Sequence, residues 1–467
     1  MGFGPKWLGW MRSCKSIAKF SVLVNGVPTD FFSSSKGLRQ GDPLSSYLFV
    51  MGMEVVSVLI TRAIEGGFIS GCSIWRGRGQ AVNISHLLFA DDTVVFCEAK
   101  KGYLTHLSWI LFWFEAASGL KINLDKSEVI LVGEVEEVNE MAVEIGCRVG
   151  QLPTVYLGLP LGAPNKATSV WDGVEEKVRR RLAIWKRQYI IPKGGKITLI
   201  KSTMASMPLY QMSLFRMPKL VARRKGRVEI RKLARLNKAL LGKWIWRFAC
   251  AKEELWKKVL EAKYGQEDFG WRTRKANGVF GVGVWKEILK ESDWCWENMA
   301  FKVGKSNKIR FWTDPWCGSY VLSQSFPNLF AMAAHRNATV EEMWDQNFGQ
   351  GGWNLRFLRD FNDWELDTVG NLLDVLREHR VTLEEDSVFW KEGRDGLFRV
   401  KKTYSVLASP IVAVFPKSNI WVDRVPTKLL SSRGKPLGGR FSLLIGFREE
   451  GDSFLIVVSC VVAKRKR

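Results

Sequence analysis

The 467-residue sequence is short of histidine, of paired cysteine and, over long stretches, of acid, and each shortage excludes something. Four histidines and eight scattered cysteines, none in a Cys-x-x-Cys pair, leave no zinc site to read. No signal-peptide pattern opens the chain, so the thiols are expected to be reduced, in a protein of the nucleus and/or cytoplasm that is not secreted. No uninterrupted apolar window reaches the length of a membrane-spanning helix. The longest late run, Phe454 to Val462, is too short, and no membrane partner is expected. No Asp or Glu precedes Asp30. Between Lys177 and Lys252 the one acid, Glu229, stands against 22 Lys and Arg.

What is present is cationic charge and apolar bulk. Lys plus Arg is 70 against 47 Asp plus Glu, a net charge of +23. That excess predicts a polyanionic partner, nucleic acid before any other. A solvated basic surface is the plain alternative, and the clustering of the cations argues for the partner. An apolar content of 46% with 12% aromatics excludes a disordered chain, and the length allows two to four domains.

Asn25-Gly26 between apolar residues is a hairpin signal. Asp42-Pro43 reads as an N-cap and first helical residue of a helix that runs to about Arg62 or Ala63 and stops before Gly66-Gly67. It is apolar nearly all round and is expected to be buried. His86-Leu87-Leu88-Phe89 and Thr93-Val94-Val95-Phe96 flank a tight turn, which puts Asp91 and Asp92 at the tip of a β-hairpin. Two adjacent carboxylates on rigid strands make a divalent-metal site when a neighbouring strand adds another. A solvated turn is the competing reading. A helix over Leu104–Ala117 ends at Ser118-Gly119, a strand follows at Val129–Val132, and Tyr156 to Gly162 reads as strand and turn.

Ser169 to Ile190 reads as an amphipathic helix, with Val174, Val178, Leu182, Trp185 and Tyr189 as its core stripe. Arg179, Arg180, Lys186 and Arg187 on its surface, with Lys193, Lys196 and Lys201 beyond it, open the acid-poor stretch and are expected to contact phosphates. From Leu233 onward Trp becomes dense, and Leu236, Leu240 and Trp244 share a helical face. Base stacking is one use of those rings; filling the cores of small helical domains is the favoured one. The last roughly 35 residues show no continuing pattern.

Four segments stand in the order found in reverse transcriptases. They are Gly37-Leu38-Arg39-Gln40-Gly41-Asp42-Pro43-Leu44-Ser45, Phe89-Ala90-Asp91-Asp92, Ser118-Gly119-Leu120-Lys121-Ile122-Asn123 with Lys126-Ser127, and Tyr156-Leu157-Gly158-Leu159-Pro160. Together they resemble the non-LTR (LINE-type) retrotransposon polymerases of plants. Gly194-Gly195-Lys196-Ile197-Thr198, Asn237-Lys238-Ala239-Leu240, Ile309-Arg310-Phe311-Trp312 and Phe398-Arg399-Val400-Lys401 extend the resemblance to about residue 430.

The resemblance implies RNA-templated DNA synthesis on an α+β fold. A partial reverse-transcriptase palm, an antiparallel sheet plus helices, would cover 1–165. A basic helical thumb or connection (166–228), a Trp-rich helical region (229–335), a region resembling the start of the retrotransposon zinc-binding domain (336–430) and an unassigned tail (431–467) would follow. It implies that Asp91 and Asp92 are catalytic and bind Mg²⁺, and that Lys126 lies near the triphosphate, where a plain surface lysine is the competing reading. It implies that Arg39, Gln40, Gly41 and Phe89 bind substrate. RNA template, DNA primer and nucleotide triphosphates would be the partners.

The sequence also departs from that pattern. The family's first palm strand, with its remaining aspartate, and the fingers normally lie before the point where this sequence begins, as if it were N-terminally truncated. The palm sheet is therefore expected to lack a central strand, Mg²⁺ to bind weakly and catalysis to be impaired. A non-catalytic RNA- or DNA-binding remnant is one alternative. A non-functional pseudogene product with an exposed sheet edge is another.

Overall fold

The computed structural model describes residues 2–17, 19–33, 42–74, 81–133, 138–163, 168–187, 209–218, 227–274, 284–318, 321–345, 352–393, 395–408 and 454–462. The chain is α+β and divides into two compact units. The first comprises residues 1–73, 83–151 and 451–467; the second comprises 74–82 and 152–450.

The first unit opens with helix α1 (Pro5–Ser16) and two short ribbons. Lys19–Phe20 (β1) pairs with Phe32–Ser33 (β4), and Leu23–Val24 (β2) with Val27–Pro28 (β3). Asn25 and Gly26 make the inner turn, both at positive φ, as an Asn-Gly hairpin requires. Helix α2 (Pro43–Glu65) begins where expected: Asp42 accepts the Leu44 N–H at 2.9 Å and Pro43 fills the first helical position.

Two expectations about α2 are corrected. Met53, Val56, Ile60 and Ala63 are buried, but Tyr47 and Val50 are more than half exposed, because only one side of the helix meets the sheet. By length and composition alone its 23 residues are also enough to cross a membrane. Isolated charges such as Glu54 interrupt the apolar run without making the helix polar.

A ribbon of Cys72–Ile74 (β5) and Val82–Ile84 (β6) follows, then His86–Phe89 (β7) and Asp92–Glu98 (β8). Helix α3 (Lys101–Ser118) stops at Gly119, whose φ of 70° turns the chain into Lys121–Val132 (β9). Helix α4 (Val138–Ile145) leads to Arg148–Gly150 (β10), parallel to β9. One hydrophobic core joins α2, α3, α4 and the sheet through Val56, Ile60, Leu107, Phe114, Met141, Val95, Val129 and Val457. Each such aliphatic side chain stabilises by about 1.5–3 kcal/mol when fully buried.

Val457 comes from the far end of the chain. The segment Phe454–Val462 (β17 in chain order, after β11 to β16 below) lies between β8 and β9, giving the sheet order β10-β9-β17-β8-β7. It runs antiparallel to both neighbours. This corrects the expectation that the sheet lacks a central strand. The physical reason is general: unpaired N–H and C=O rows on two strands accept any extended apolar segment, and a run rich in Val and Ile suits the position.

The second unit starts with a hairpin, Thr154–Tyr156 (β11) and Leu159–Leu161 (β12), turned by Leu157 and Gly158 at positive φ. Helix α5 (Asp172–Arg187) and the 24-residue α6 (Arg227–Cys250) follow. The buried stripe of α6 runs through Leu233, Asn237, Leu241, Trp244 and Phe248; Leu236 and Leu240 are half-buried, one helical step off the expected face. The shift has a polar cause. Asn237 is the buried anchor: it accepts the Met217 N–H and donates to the Met212 and Phe215 carbonyls. Gly242 leaves room for Cys295 and Trp294, which a Cβ there would meet at 2.9 and 3.0 Å.

Met299–Lys302 (β13) pairs with Ser387–Trp390 (β16), and Trp344–Asp345 (β14) with Gly352–Trp353 (β15). Trp244, Trp246, Trp256, Trp285, Trp296, Trp312, Trp316 and Trp390 are buried, many in edge-on pairs such as Trp246 on Trp390. The indoles fill cores, as the favoured reading held.

Candidate metal-binding hairpin and nucleic-acid surface

Strands β7 and β8 are joined by a two-residue turn, Ala90-Asp91, closed by the pair Phe89 and Asp92. Ala90 sits at φ 49°, in the left-handed region that costs a residue with a Cβ about 1–2 kcal/mol. The turn is rigidly backed. Thr93 to Cys97 are buried without a break, and His86 reaches helix α2 through Nε2, 2.8 Å from Ser57 Oγ, while its Nδ1 lies 2.9 Å from the neighbouring Ser85 Oγ. His86 and Ser57 were not singled out in the sequence, since a lone His beside a strand carries no signal of its own.

The two carboxylates differ in setting. Asp91 is exposed and Asp92 is half-buried. Burial pushes the Asp92 carboxyl above the ordinary carboxylate range, the Asp91 charge adds to that, and Lys126 opposes it. Lys126 is therefore within electrostatic reach of Asp92. It stands on a bulge of β9. There the Asn123 side chain accepts the Lys126 N–H at 3.2 Å and the Asn123 carbonyl accepts the buried Ser127 hydroxyl at 2.8 Å.

Among the described residues, no group of three or more His, Cys, Asp or Glu side chains is placed to share an ion. Mg²⁺ keeps several waters and is commonly held by one or two carboxylates plus substrate phosphates. Asp91 and Asp92 fit that lesser role. They do not fit a two-ion arrangement, which needs further carboxylates.

Half-buried Phe89 closes the hairpin turn. Arg39, Gln40 and Gly41 lie outside the described residues, as do Lys193, Lys196 and Lys201. Lys186 and Arg187 are in the last turn of α5, and their side chains are likewise outside the description. Arg179 and Arg180 are exposed on α5 and share the Glu176 carboxylate, at 3.8 and 3.0 Å. Exposed pairs at this spacing are worth about 0.3–0.5 kcal/mol, so they leave both guanidiniums available to a phosphate.

Residues 3–161 match the family described as reverse transcriptase (RNA-dependent DNA polymerase). The acidic hairpin, the capped α2 and the β9 bulge all fall inside that match. A putative ribonuclease H protein of Arabidopsis thaliana is 24% identical over 310 residues, 57% of this chain and 47% of that protein. An uncharacterised mitochondrial protein of the same plant is 49% identical over 71 residues, 15% of this chain and 56% of its own length. The retrovirus-related Pol polyprotein from the type-2 retrotransposable element of Drosophila melanogaster is 28% identical over 181 residues, 38% of this chain and 15% of that polyprotein.

The resemblance is to the reverse transcriptases of non-LTR retrotransposons. The chain spans about half the length of the first two relatives and a small part of the third. In this reverse-transcriptase-like chain Asp91 and Asp92 stand at the β7–β8 turn and Lys126 on β9, across the intervening β17 of the same sheet. Arg179 and Arg180 belong to the second unit and are a separate surface.

Proposed function

We propose that the chain is a retrotransposon-derived RNA-directed DNA polymerase whose catalysis is impaired as it stands. The observation that supports this is the acidic hairpin. Two carboxylates are held on buried strands inside a stretch that matches the reverse transcriptase family, without a third among the described residues. RNA template, DNA primer and nucleotide triphosphates are the partners on this reading, Mg²⁺ is the cofactor, weakly held, and the nucleus and/or cytoplasm is the location. The chemistry these residues support is limited: Asp91 and Asp92 hold a cation beside nucleotide phosphates, and Lys126 offsets phosphate charge.

Primer extension on an RNA template with Mg²⁺ tests it. The expected result is trace synthesis. Robust synthesis that Asp91→Ala abolishes would overturn the impairment.

The run of 22 cations favours a second reading, non-catalytic binding of RNA or DNA. It predicts that affinity falls steeply with salt through counterion release, and that Arg179→Ala with Arg180→Ala lowers the slope of log K against log salt by up to about 2. Binding that ignores salt would reject it.

A further inference from the structure

Helix α3 is apolar on two faces. Inward, Leu104, Leu107, Leu111 and Phe114 are buried in the core with α2 and the sheet. Outward, Trp109, Phe112 and Trp113 are 58%, 67% and 67% exposed, and the exposed Ala116 continues their stripe. Steps of three and four residues put these four side chains on one face. A helix that is apolar all round is normally enclosed. Here the second face stays open to solvent.

Phe68 extends the patch. It is 53% exposed and meets the His106 ring edge-on, 5.2 Å between centroids, and His106 meets Trp109 in the same manner at 5.7 Å. His106 Nδ1 lies 2.9 Å from the Phe68 carbonyl oxygen. Gly66 leaves the space that the Phe68 ring fills, since a Cβ there would come within 2.7 Å of it. Phe68 and Trp109 are thus held in position before any partner arrives, which lowers the ordering cost of association.

The face is neutral in a chain of net charge +23. Helix α3 carries two charged residues at neutral pH. Lys101 begins it and pairs with Glu140 at 3.8 Å, and Glu115 accepts the Ile122 N–H at 2.6 Å. A nucleic acid or an anionic lipid surface is met by cations, so a patch without them fits an apolar protein surface instead. The same face of a second copy is such a surface. Two α3 helices laid antiparallel about a twofold axis between Phe112 and Trp113 set Trp109 of one copy against Ala116 of the other, large against small, and put Glu115 opposite the uncharged Ile110. A fully buried aromatic side chain covers about 150–250 Å², so the exposed fractions of the four rings offer about 370–610 Å² per copy. Two copies would bury about 740–1,220 Å², the range of transient specific contacts and less than a permanent dimer needs.

We propose that the outward face of α3 is a self-association surface, through which the chain forms a reversible symmetric dimer with Trp109, Phe112, Trp113 and Phe68 at its centre. The small area sets an expected dissociation constant on the order of 1–100 µM. The proposal is independent of the polymerase reading, and its tests involve no polymerisation.

Sedimentation equilibrium of the full, nuclease-treated chain at low and high salt tests it. Dimer is expected in both, because salt screens charges and leaves apolar burial intact. Trp113→Glu is expected to weaken dimerisation by about 30-fold or more, and Val143→Glu, at a side chain 79% exposed on α4, to leave it within about twofold. The register has a test of its own. Ala116→Trp adds apolar surface, so a face that is merely sticky would associate more tightly. The large-against-small pairing instead requires about fivefold weaker association or worse, restored by adding Trp109→Ala. All these positions are exposed, and melting at low concentration verifies that each variant is folded. A chain that stays monomeric at concentrations well above about 100 µM, a dimer indifferent to Trp113→Glu, or one tightened by Ala116→Trp overturns the proposal.

Discussion

Val457→Ala is the substitution that weighs most on the sheet. Val457 pairs with Val95 on one side and Val129 on the other, and the three are 1%, 1% and 0% exposed. Its side chain belongs to the core that also holds Leu107 and Phe114 of α3. The change removes two methyl groups. At about 0.8 kcal/mol for each buried carbon the transfer part is about 1.6 kcal/mol, and the cavity left in a packed core brings the total to about 2–3 kcal/mol. Hydrogen exchange reads this directly. Protection of the β8 amides, Thr93 to Cys97, is expected to fall about 30- to 150-fold. Val143→Ala on α4 removes the same two methyls from a side chain 79% exposed and is the matched control; it is expected to change protection less than threefold, about 0.6 kcal/mol. Unchanged β8 protection in Val457→Ala would refute the placement of the C-terminal strand, and with it the argument for a closed sheet.

Three further outcomes follow from single residues. Ala90→Gly relieves the left-handed backbone at the hairpin tip and is expected to raise thermal stability by about 1 kcal/mol; a fall in the midpoint would show that the turn is held some other way. His379 packs edge-on against Trp316, and burial holds its imidazole below the usual 6.5, with Glu378 opposing. The folded state therefore prefers the neutral ring. That stability is complete above about pH 6.5 and is lost as pH falls through the lowered value, so melting from pH 7.5 to 5 should show a decline that His379→Phe flattens. Trp316 Nε1 donates to the Phe311 carbonyl at 2.8 Å, whereas Trp390 Nε1 has no partner among the described residues. Trp316→Phe should cost about 1 kcal/mol more than Trp390→Phe in denaturant melts, and equal losses would contradict this.

Local chemistry was legible in the sequence wherever a short segment determines it. Asp42-Pro43 and Gly66 bound α2 because capping and fixed φ act within a turn. The Asp91-Asp92 hairpin was legible because alternation and a tight turn are both local. The nine residues Phe454–Val462 were visible as an apolar run, too short for a membrane and of the right length for a strand. Their place was not visible, because pairing with β8 and β9 joins residues hundreds of positions apart and no local pattern encodes it. The stripe of α6 was read one step off because the periodic leucines Leu236 and Leu240 were weighed and a buried asparagine was not. Asn237 is interior only because three backbone groups of Met212, Phe215 and Met217 satisfy it.

The closed sheet and the incomplete acid site share a cause. A β-ladder is made by backbone groups, which are the same in every residue except proline, so a slot between two strands discriminates weakly among apolar segments. A cation site is made by side chains, and it discriminates at single positions. The C-terminal strand meets the first requirement: it pairs on both edges and buries Ile456 and Val457. It does not meet the second, since no acid lies anywhere on it. Folding and metal chemistry can therefore separate in this sheet. A protein that melts cooperatively and holds its β8 amides against exchange, while binding Mn²⁺ only weakly, is what that division of labour between backbone and side chain requires.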